Sequence, residues 1–181
     1  FYTNGLLGSR KSQTYSNFND FMYNLSYWSS WSNGFNIWKS EFDKIDKNLK
    51  LNKLFPHTSL FLTQHQAKLF CINDNLLFDV QRIPKRGGHN KFEAFTIEYP
   101  SLLDECCKKG HISTKCKKHI LFGIMVQFLP SLLFNKYIIR IETFDDTGFR
   151  DNLKKYYPSY AYWLVLISVL GVPFRLFCRK L

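Results

Sequence analysis

From Trp28 onward, apolar residues recur at spacings of three and four: Trp28, Trp31, Phe35, Trp38, Phe42, Ile45 and Leu49. That spacing puts them on one face of a helix. The opposite face carries Lys39–Asp43, Asp43–Lys47 and Asp46–Lys50, oppositely charged pairs four residues apart. The pattern predicts an amphipathic helix over 28–51, with Gly34 as a breaking point and 35–50 as its firmest part. Such a helix either covers a core or lies in a membrane interface with its tryptophans among headgroups. Ahead of it, residues 1–27 open in Ser, Asn, Gly and Tyr without a period and read as an extended arm.

After Pro56 the period shortens. The runs 58–63 (TSLFLT) and 67–72 (AKLFCI) are short and apolar, and Asn73-Asp74-Asn75 is a turn signal. Leu76, Phe78 and Val80 then alternate with polar or outward positions, as in a half-buried strand. A basic Gly-Gly loop at 84–90 leads to another predicted strand at 91–99 (KFEAFTIEY). A polar, lysine-rich insertion follows at 100–118, with a short helix at 102–109. Segments 119–128 and 134–144 read as two strands joined around Pro130. Asp145-Asp146-Thr147 offers a helix N-cap, and Phe149, Leu153 and Tyr156 line a helix that Pro158 stops.

The last apolar run, 160–177 (YAYWLVLISVLGVPFRLF), is almost free of charge. A bilayer core of about 30 Å needs about 20 apolar residues as helix, and this run reaches that length only if Arg175 snorkels to the headgroups. Tyr156, Tyr157, Tyr160, Tyr162 and Trp163 gather at one edge, as an interfacial aromatic belt does. The pattern predicts a single-pass transmembrane helix within 158–181; a greasy terminal helix packed on a core or a partner is the alternative. Arg150, Lys154 and Lys155 on one side balance Arg175, Arg179 and Lys180 on the other, so orientation is open.

The elements sum to an α+β chain. A small, strongly curved antiparallel β-sheet or partial barrel over 55–157 is capped by one helix, with the amphipathic helix before it and the transmembrane helix after it. The order of strands then capping helix resembles the pleckstrin-homology-like superfold. The run Thr58-Ser59-Leu60-Phe61-Leu62-Thr63-Gln64-His65-Gln66-Ala67-Lys68-Leu69-Phe70 is similar to the start of its GRAM-type members, where an apolar strand ending in Thr precedes a turn and a second strand. The resemblance implies binding of phosphoinositides or proteins and no catalysis; the insertion at 101–118 is an addition to that pattern.

Charge turns the question towards partners. The 181 residues carry a net charge of +11 with 18% aromatic residues, a balance that favours phospholipid headgroups, acidic protein surfaces or nucleic acid. Alanine occurs only at 67, 94 and 161 amid abundant Phe, Tyr, Ile, Asn and Lys, the bias of an AT-rich coding sequence, so part of the charge is background. Two basic clusters are candidate lipid or anion contacts: Arg82, Lys85, Arg86 and Lys91 around the Gly-Gly loop, and Lys108, Lys109, Lys115, Lys117 and Lys118 in the insertion. A solvated basic loop is the bland alternative for each. The aromatics fall on expected core faces rather than between the cations, so nucleic acid fits poorly outside a ribosomal assembly.

Five cysteines, unevenly spaced, do not form a secreted disulfide framework and read as reduced thiols. Cys107, His111, Cys116 and His119 supply two thiols and two imidazoles, a possible zinc set. Their spacing matches no finger pattern, and ordinary thiols and histidines are the alternative; otherwise no cofactor is expected. GxSxG, HExxH and phosphate-loop patterns are all missing from the sequence, so no enzyme class is indicated. The chain begins at Phe1 rather than Met, and an upstream segment is expected. The reading is thus a non-catalytic, membrane-anchored binding or scaffold domain at the mitochondrial inner membrane or an endomembrane. The alternative is an accessory structural subunit of a larger membrane complex or ribosome.

Overall fold

The computed structural model describes residues 1–78 and 90–178. It is an α+β chain, mostly helical, with one two-stranded antiparallel sheet. Contacts divide the chain into two compact units, residues 1–80 with 102–120 and residues 81–101 with 121–181.

In the first unit, Ser12–Tyr15 pairs with Phe70–Asn73 in the register Ser12↔Asn73 to Tyr15↔Phe70. Phe70 and Ile72 point into the core while Cys71 faces out, the period-two alternation of a half-buried strand. The helix Phe18–Leu25 begins at Asn17, whose side chain accepts the Asp20 N–H at 2.8 Å. Its Phe18, Phe21, Met22 and Leu25 are buried at helical spacing. Phe18 and Phe21 meet Phe61 and Phe70 with ring centroids 5.0–5.8 Å apart, a range in which aromatic pairs attract beyond simple burial.

The expected amphipathic helix over 28–51 does not form as one element. Short 3-10 turns occupy Ser26–Ser30 and Ser32–Gly34, a single helical turn covers Lys39–Phe42, and Trp38 stands largely exposed. The physical reason lies at Gly34. Its carbonyl accepts the Tyr2 N–H at 2.7 Å instead of a helical donor, and the N-terminal segment lies so close that a Cβ there would collide with the Tyr2 carbonyl and the Phe1 ring. Gly34→Ala is therefore expected to lower stability by about 1–3 kcal/mol through overpacking, read as a shifted urea midpoint with an unchanged slope.

Of the segments expected as further strands, 58–62, 91–99, 119–128 and 134–138 are helical, whereas 76–78 and 139–144 are neither helix nor sheet strand, and Leu76, Leu77 and Phe78 are exposed rather than half-buried. Residues 58–62 lie in the helix Pro56–Leu62, with Pro56 in the first turn, where its missing N–H costs nothing. Residues 91–99 belong to a continuous helical run over 91–108, in which Ala94–Glu98 widens to a π-helical turn. Asn90 starts it by accepting the Glu93 N–H at 2.8 Å. Phe92, Phe95, Tyr99, Leu103 and Cys106 are buried at spacings of three and four, so packing on a helical face overrides the β-branched and aromatic composition of 91–99. The helix anticipated at 102–109 is the end of this longer one. The two-stranded sheet is the one sheet among the described residues, beside isolated bridges such as Tyr2 with Asn73, and nothing in them indicates a pleckstrin-homology-like barrel.

Segments 119–128 and 134–138 likewise join in one helix, Thr114–Ile138, with π-helical turns at Ile124–Phe128 and Phe134–Ile138. Pro130 does not end it. Proline offers no N–H to the carbonyls one turn earlier, and the Arg175 guanidinium instead donates to the Val126 carbonyl at 2.6 Å. The same device recurs at Pro100. Tyr99 N–H bonds the Ala94 carbonyl, five residues back; the next donor in that register is proline, and the Tyr157 hydroxyl donates to the Phe95 carbonyl at 2.7 Å.

The helix Phe149–Tyr156 forms near its expected place, but Gly148 at φ +74° is its N-cap. Asp146 instead accepts from Lys136 Nζ at 2.7 Å and from the Tyr137 hydroxyl. The buried face is Phe149, Leu153 and Tyr157, with Tyr156 half-exposed. The terminal apolar run divides into Ala161–Val169 and Val172–Cys178, of nine and seven residues. Leu170 and Gly171 donate to the carbonyls of Ile167 and Ser168, three residues back, in a tightened turn ahead of Pro173. At 1.5 Å per residue neither helix alone crosses a core of about 30 Å. The described helix with the length and apolarity to cross is Thr114–Ile138, of whose most apolar window 56% is buried in the structure. A core helix meets the same test.

Candidate functional site

The helix Ala161–Val169 is apolar on every side, and its own unit covers only part of it. Ala161, Val165 and Val172 are buried, the first helix packing on residues 124–133. Trp163, Ile167, Leu170 and Phe174 are 60–81% exposed. Trp163, Ile167 and Leu170 recur at spacings of four and three and form one stripe on the first helix, Tyr160 extends it by one turn, and Phe174 is exposed on the second helix. No charged residue occurs between 161 and 174. The sequence reading found this run but gave Arg175 a snorkelling role; its guanidinium is committed to the Val126 carbonyl. At the start of the stripe, the Arg150 guanidinium lies over the Tyr162 ring, 5.4 Å from its centroid. Lys154 pairs with Asp151 at 2.7 Å. A scattered exposed apolar side chain is ordinary, whereas a contiguous apolar stripe marks a contact surface.

The structure distributes the predicted anion contacts unevenly. Arg82, Lys85 and Arg86 lie outside the described residues. Lys91 Nζ sits 3.7 Å from the centroid of the Phe144 ring. Asp104 takes both Lys117 at 2.7 Å and Lys108 at 2.9 Å, and Lys109 pairs with Glu105 at 2.6 Å. The hydrogen bonds from Lys117 and then Lys108 hold the Asp104 carboxyl down at about 2. Three of the five insertion lysines are thereby partly neutralised; Lys115 and Lys118 are exposed and form no ion pair among the described residues.

The possible zinc ligands are not brought together. Cys116 Sγ is buried and lies 3.6 Å from the Asn19 carbonyl, and Cys107 Sγ lies 3.7 Å from Thr114 Oγ1. His119 stacks on Tyr23 with centroids 4.0 Å apart, and His111 stacks on His65. Among the described residues no three His, Cys, Asp or Glu side chains converge to hold a metal ion. Burial pushes the Cys106 and Cys116 thiols up to about 12, which keeps them protonated and unreactive.

Sequence reasoning missed two groupings. Asp74, read only as part of a turn, is fully buried and accepts from Thr3 Oγ1, Ser9 Oγ and the N–H groups of Leu7, Ser9 and Arg10 at 2.5–3.1 Å. Five donors converging on one carboxylate make it the anchor of the N-terminal loop, and its position in an Asn-Asp-Asn turn was the available signal. His65 and His111 meet across 46 residues of sequence with rings 3.5 Å apart and 11° from parallel. Nothing in a local pattern announces such a pair.

No family model matches the chain, and neither a curated protein nor a solved structure matches it.

Proposed function

We propose that this is a non-catalytic binding protein attached to a membrane, held there by the exposed stripe of its terminal helices lying among lipid chains. The observation that carries the reading is the exposure of Trp163, Ile167, Leu170 and Phe174 on a segment without charge. Left in water, each such side chain forgoes about 1.5–3 kcal/mol of burial free energy. Tyr160, Tyr162 and Trp163 at one end suit the headgroup boundary, where amphipathic rings concentrate. Lys115 and Lys118, exposed and without an ion pair among the described residues, are available to anionic headgroups, each worth about 1 kcal/mol near a charged leaflet. The stripe replaces the terminal transmembrane helix as the attachment element.

One observation favours a second reading. Spacings of four and three, as Trp163, Ile167 and Leu170 have on the first helix, are also those of a helix–helix seam, which suits an accessory subunit packed against another protein in a membrane assembly.

Flotation of the full chain with vesicles containing phosphatidylserine tests the first reading. The native chain is expected to float at low and high salt, because apolar burial is not screened as charge contacts are. Ile167→Asp with Leu170→Asp is expected to stay at the bottom of the gradient while keeping its helical circular dichroism. Equal flotation of the variant would sink the proposal, and a native chain that never floats but is ordered within an assembly supports the second reading.

A further inference from the structure

The histidine pair lines a cleft of about 230 Å³ in the first unit. His65 comes from the turn Thr63–Gln66 and His111 from the segment after the 91–108 helix. Lys50 reaches the same cleft from the loop before Pro56, and Glu105, Cys106 and Lys109 reach it from the 91–108 helix. His65 Nδ1 lies 3.3 Å from the Leu62 carbonyl, so that nitrogen carries the proton and Nε2 is left for the cleft.

The lining has an imbalance of charge. Glu105 is its one carboxylate, and Lys109 holds it at 2.6 Å. Lys50 forms no ion pair among the described residues, and the Cys106 thiol is kept neutral by burial. The cleft's hydroxyls are already engaged: Ser59 Oγ donates to the Phe55 carbonyl at 3.0 Å and Thr63 Oγ1 to the Leu60 carbonyl at 2.7 Å. The nitrogens of Lys50, His65 and His111 are the polar groups left to meet a ligand.

We propose that this cleft binds a small oxyanion of the phosphate class, with Lys50 and the stacked imidazoles as its donors. This reading is independent of the apolar stripe. The His111 ring faces the parallel His65 ring at 3.5 Å, and Lys109 lines the same cleft. His111 is pulled below its ordinary value by burial, then by His65 and Lys109. A bound anion opposes the last two causes directly. Anion and proton therefore enter together, and by reciprocity each strengthens the other's binding.

Sulfate is the probe, because its charge is constant across the histidine range. The full chain is titrated at about pH 5.5 and about pH 8 while the histidine ring resonances are followed. Sulfate is expected to shift His65 and His111 selectively, to bind about tenfold more tightly at the lower pH, and to raise the midpoint of His111. Lys50→Gln should weaken binding at both pH values, His111→Gln should remove most of the pH dependence, and His57→Gln, at an exposed position, should change neither. A parallel arm with phosphatidic acid vesicles distinguishes the source: shifts with vesicles as well as sulfate assign a lipid headgroup, and shifts with sulfate alone assign a soluble anion. Equal affinity at the two pH values, or no selective shift of the stacked rings in the native chain, overturns the proposal whatever the variants do.

Discussion

Replacing Asp74 by alanine is expected to cost about 3–4 kcal/mol, because it strips the acceptor from five donors at once. Thr3 Oγ1 approaches at 2.5 Å, Ser9 N–H at 2.8 Å, Ser9 Oγ at 3.0 Å, and the Leu7 and Arg10 N–H groups at 3.1 Å. Thr3 is as fully buried as Asp74, so its hydroxyl cannot turn to water without local opening. Asp74→Asn keeps the shape but turns an amide NH₂ towards either Thr3 and Leu7 or Ser9 and Arg10, donors against donors. It should recover at most about half of the loss. Hydrogen exchange localises the effect: the amides of Leu7, Ser9 and Arg10 should lose protection while Leu129, in the other unit, keeps its own. A change within about 0.5 kcal/mol for the alanine variant would show that the carboxylate is not an anchor.

The same site fixes a pH dependence. Burial pushes the Asp74 carboxyl up, but the hydrogen bonds from Thr3, Leu7, Arg10 and Ser9 outweigh it and leave the carboxyl below its ordinary value. A carboxyl lowered on folding binds fewer protons folded than unfolded in that window, so stability rises with pH there. The contribution is complete above about pH 4, the unfolded value, and is lost as pH falls through the lower folded value. The gap between native chain and Asp74→Asn should therefore narrow only in acid, and a gap that stays constant down to the acid transition would refute this origin.

What the sequence disclosed depended on whether local pattern and tertiary packing agreed. At 70–73 they agree: Phe70 and Ile72 alternate with Cys71, and the strand forms. At 91–99 they conflict. Phe92, Ala94 and Thr96 alternate as in a strand, yet Phe92, Phe95 and Tyr99 also recur at helical spacing, and packing on the buried Phe149 and the half-buried Phe128 selects the helix. At 28–49 a clean helical period fails because Gly34 is claimed by Tyr2, a contact over 32 residues that no local window contains. The apolar terminal run was legible as a surface seeking a nonaqueous partner. Its division before Pro173 was not, and neither was the burial of one face. For the anion contacts, charge alone pointed to Lys108, Lys109 and Lys117, whereas Asp104 and Glu105, four residues before Lys108 and Lys109, were the sequence signal that those two would be partly neutralised; Lys117 reaches Asp104 from the next helix.

Proline inside a helix is usually read as a boundary, and the two at 100 and 130 show what replaces the missing donor. Tyr157→Phe is expected to cost about 1–2 kcal/mol, as it removes a hydroxyl from the Phe95 carbonyl in a buried setting that Pro100 cannot serve. Burial drives the Tyr157 hydroxyl well above its ordinary value, so it stays a donor throughout the accessible range. Arg175→Met should cost less, since the side chain is only half-buried and water can reach the Val126 carbonyl in its place. The decisive measurement is a double-mutant cycle between Tyr157→Phe and Pro100→Ala. Alanine restores a backbone N–H one residue past Tyr99, in register with Phe95, so the tyrosine hydroxyl should matter less in its presence by about 1 kcal/mol. The cycle subtracts the general gain from removing a helix proline, which is present in both backgrounds. Strict additivity would mean that the hydroxyl and the absent N–H do not serve the same carbonyl. A positive coupling would instead identify Tyr157 as the reason this helix runs through Pro100 into residues 101–108.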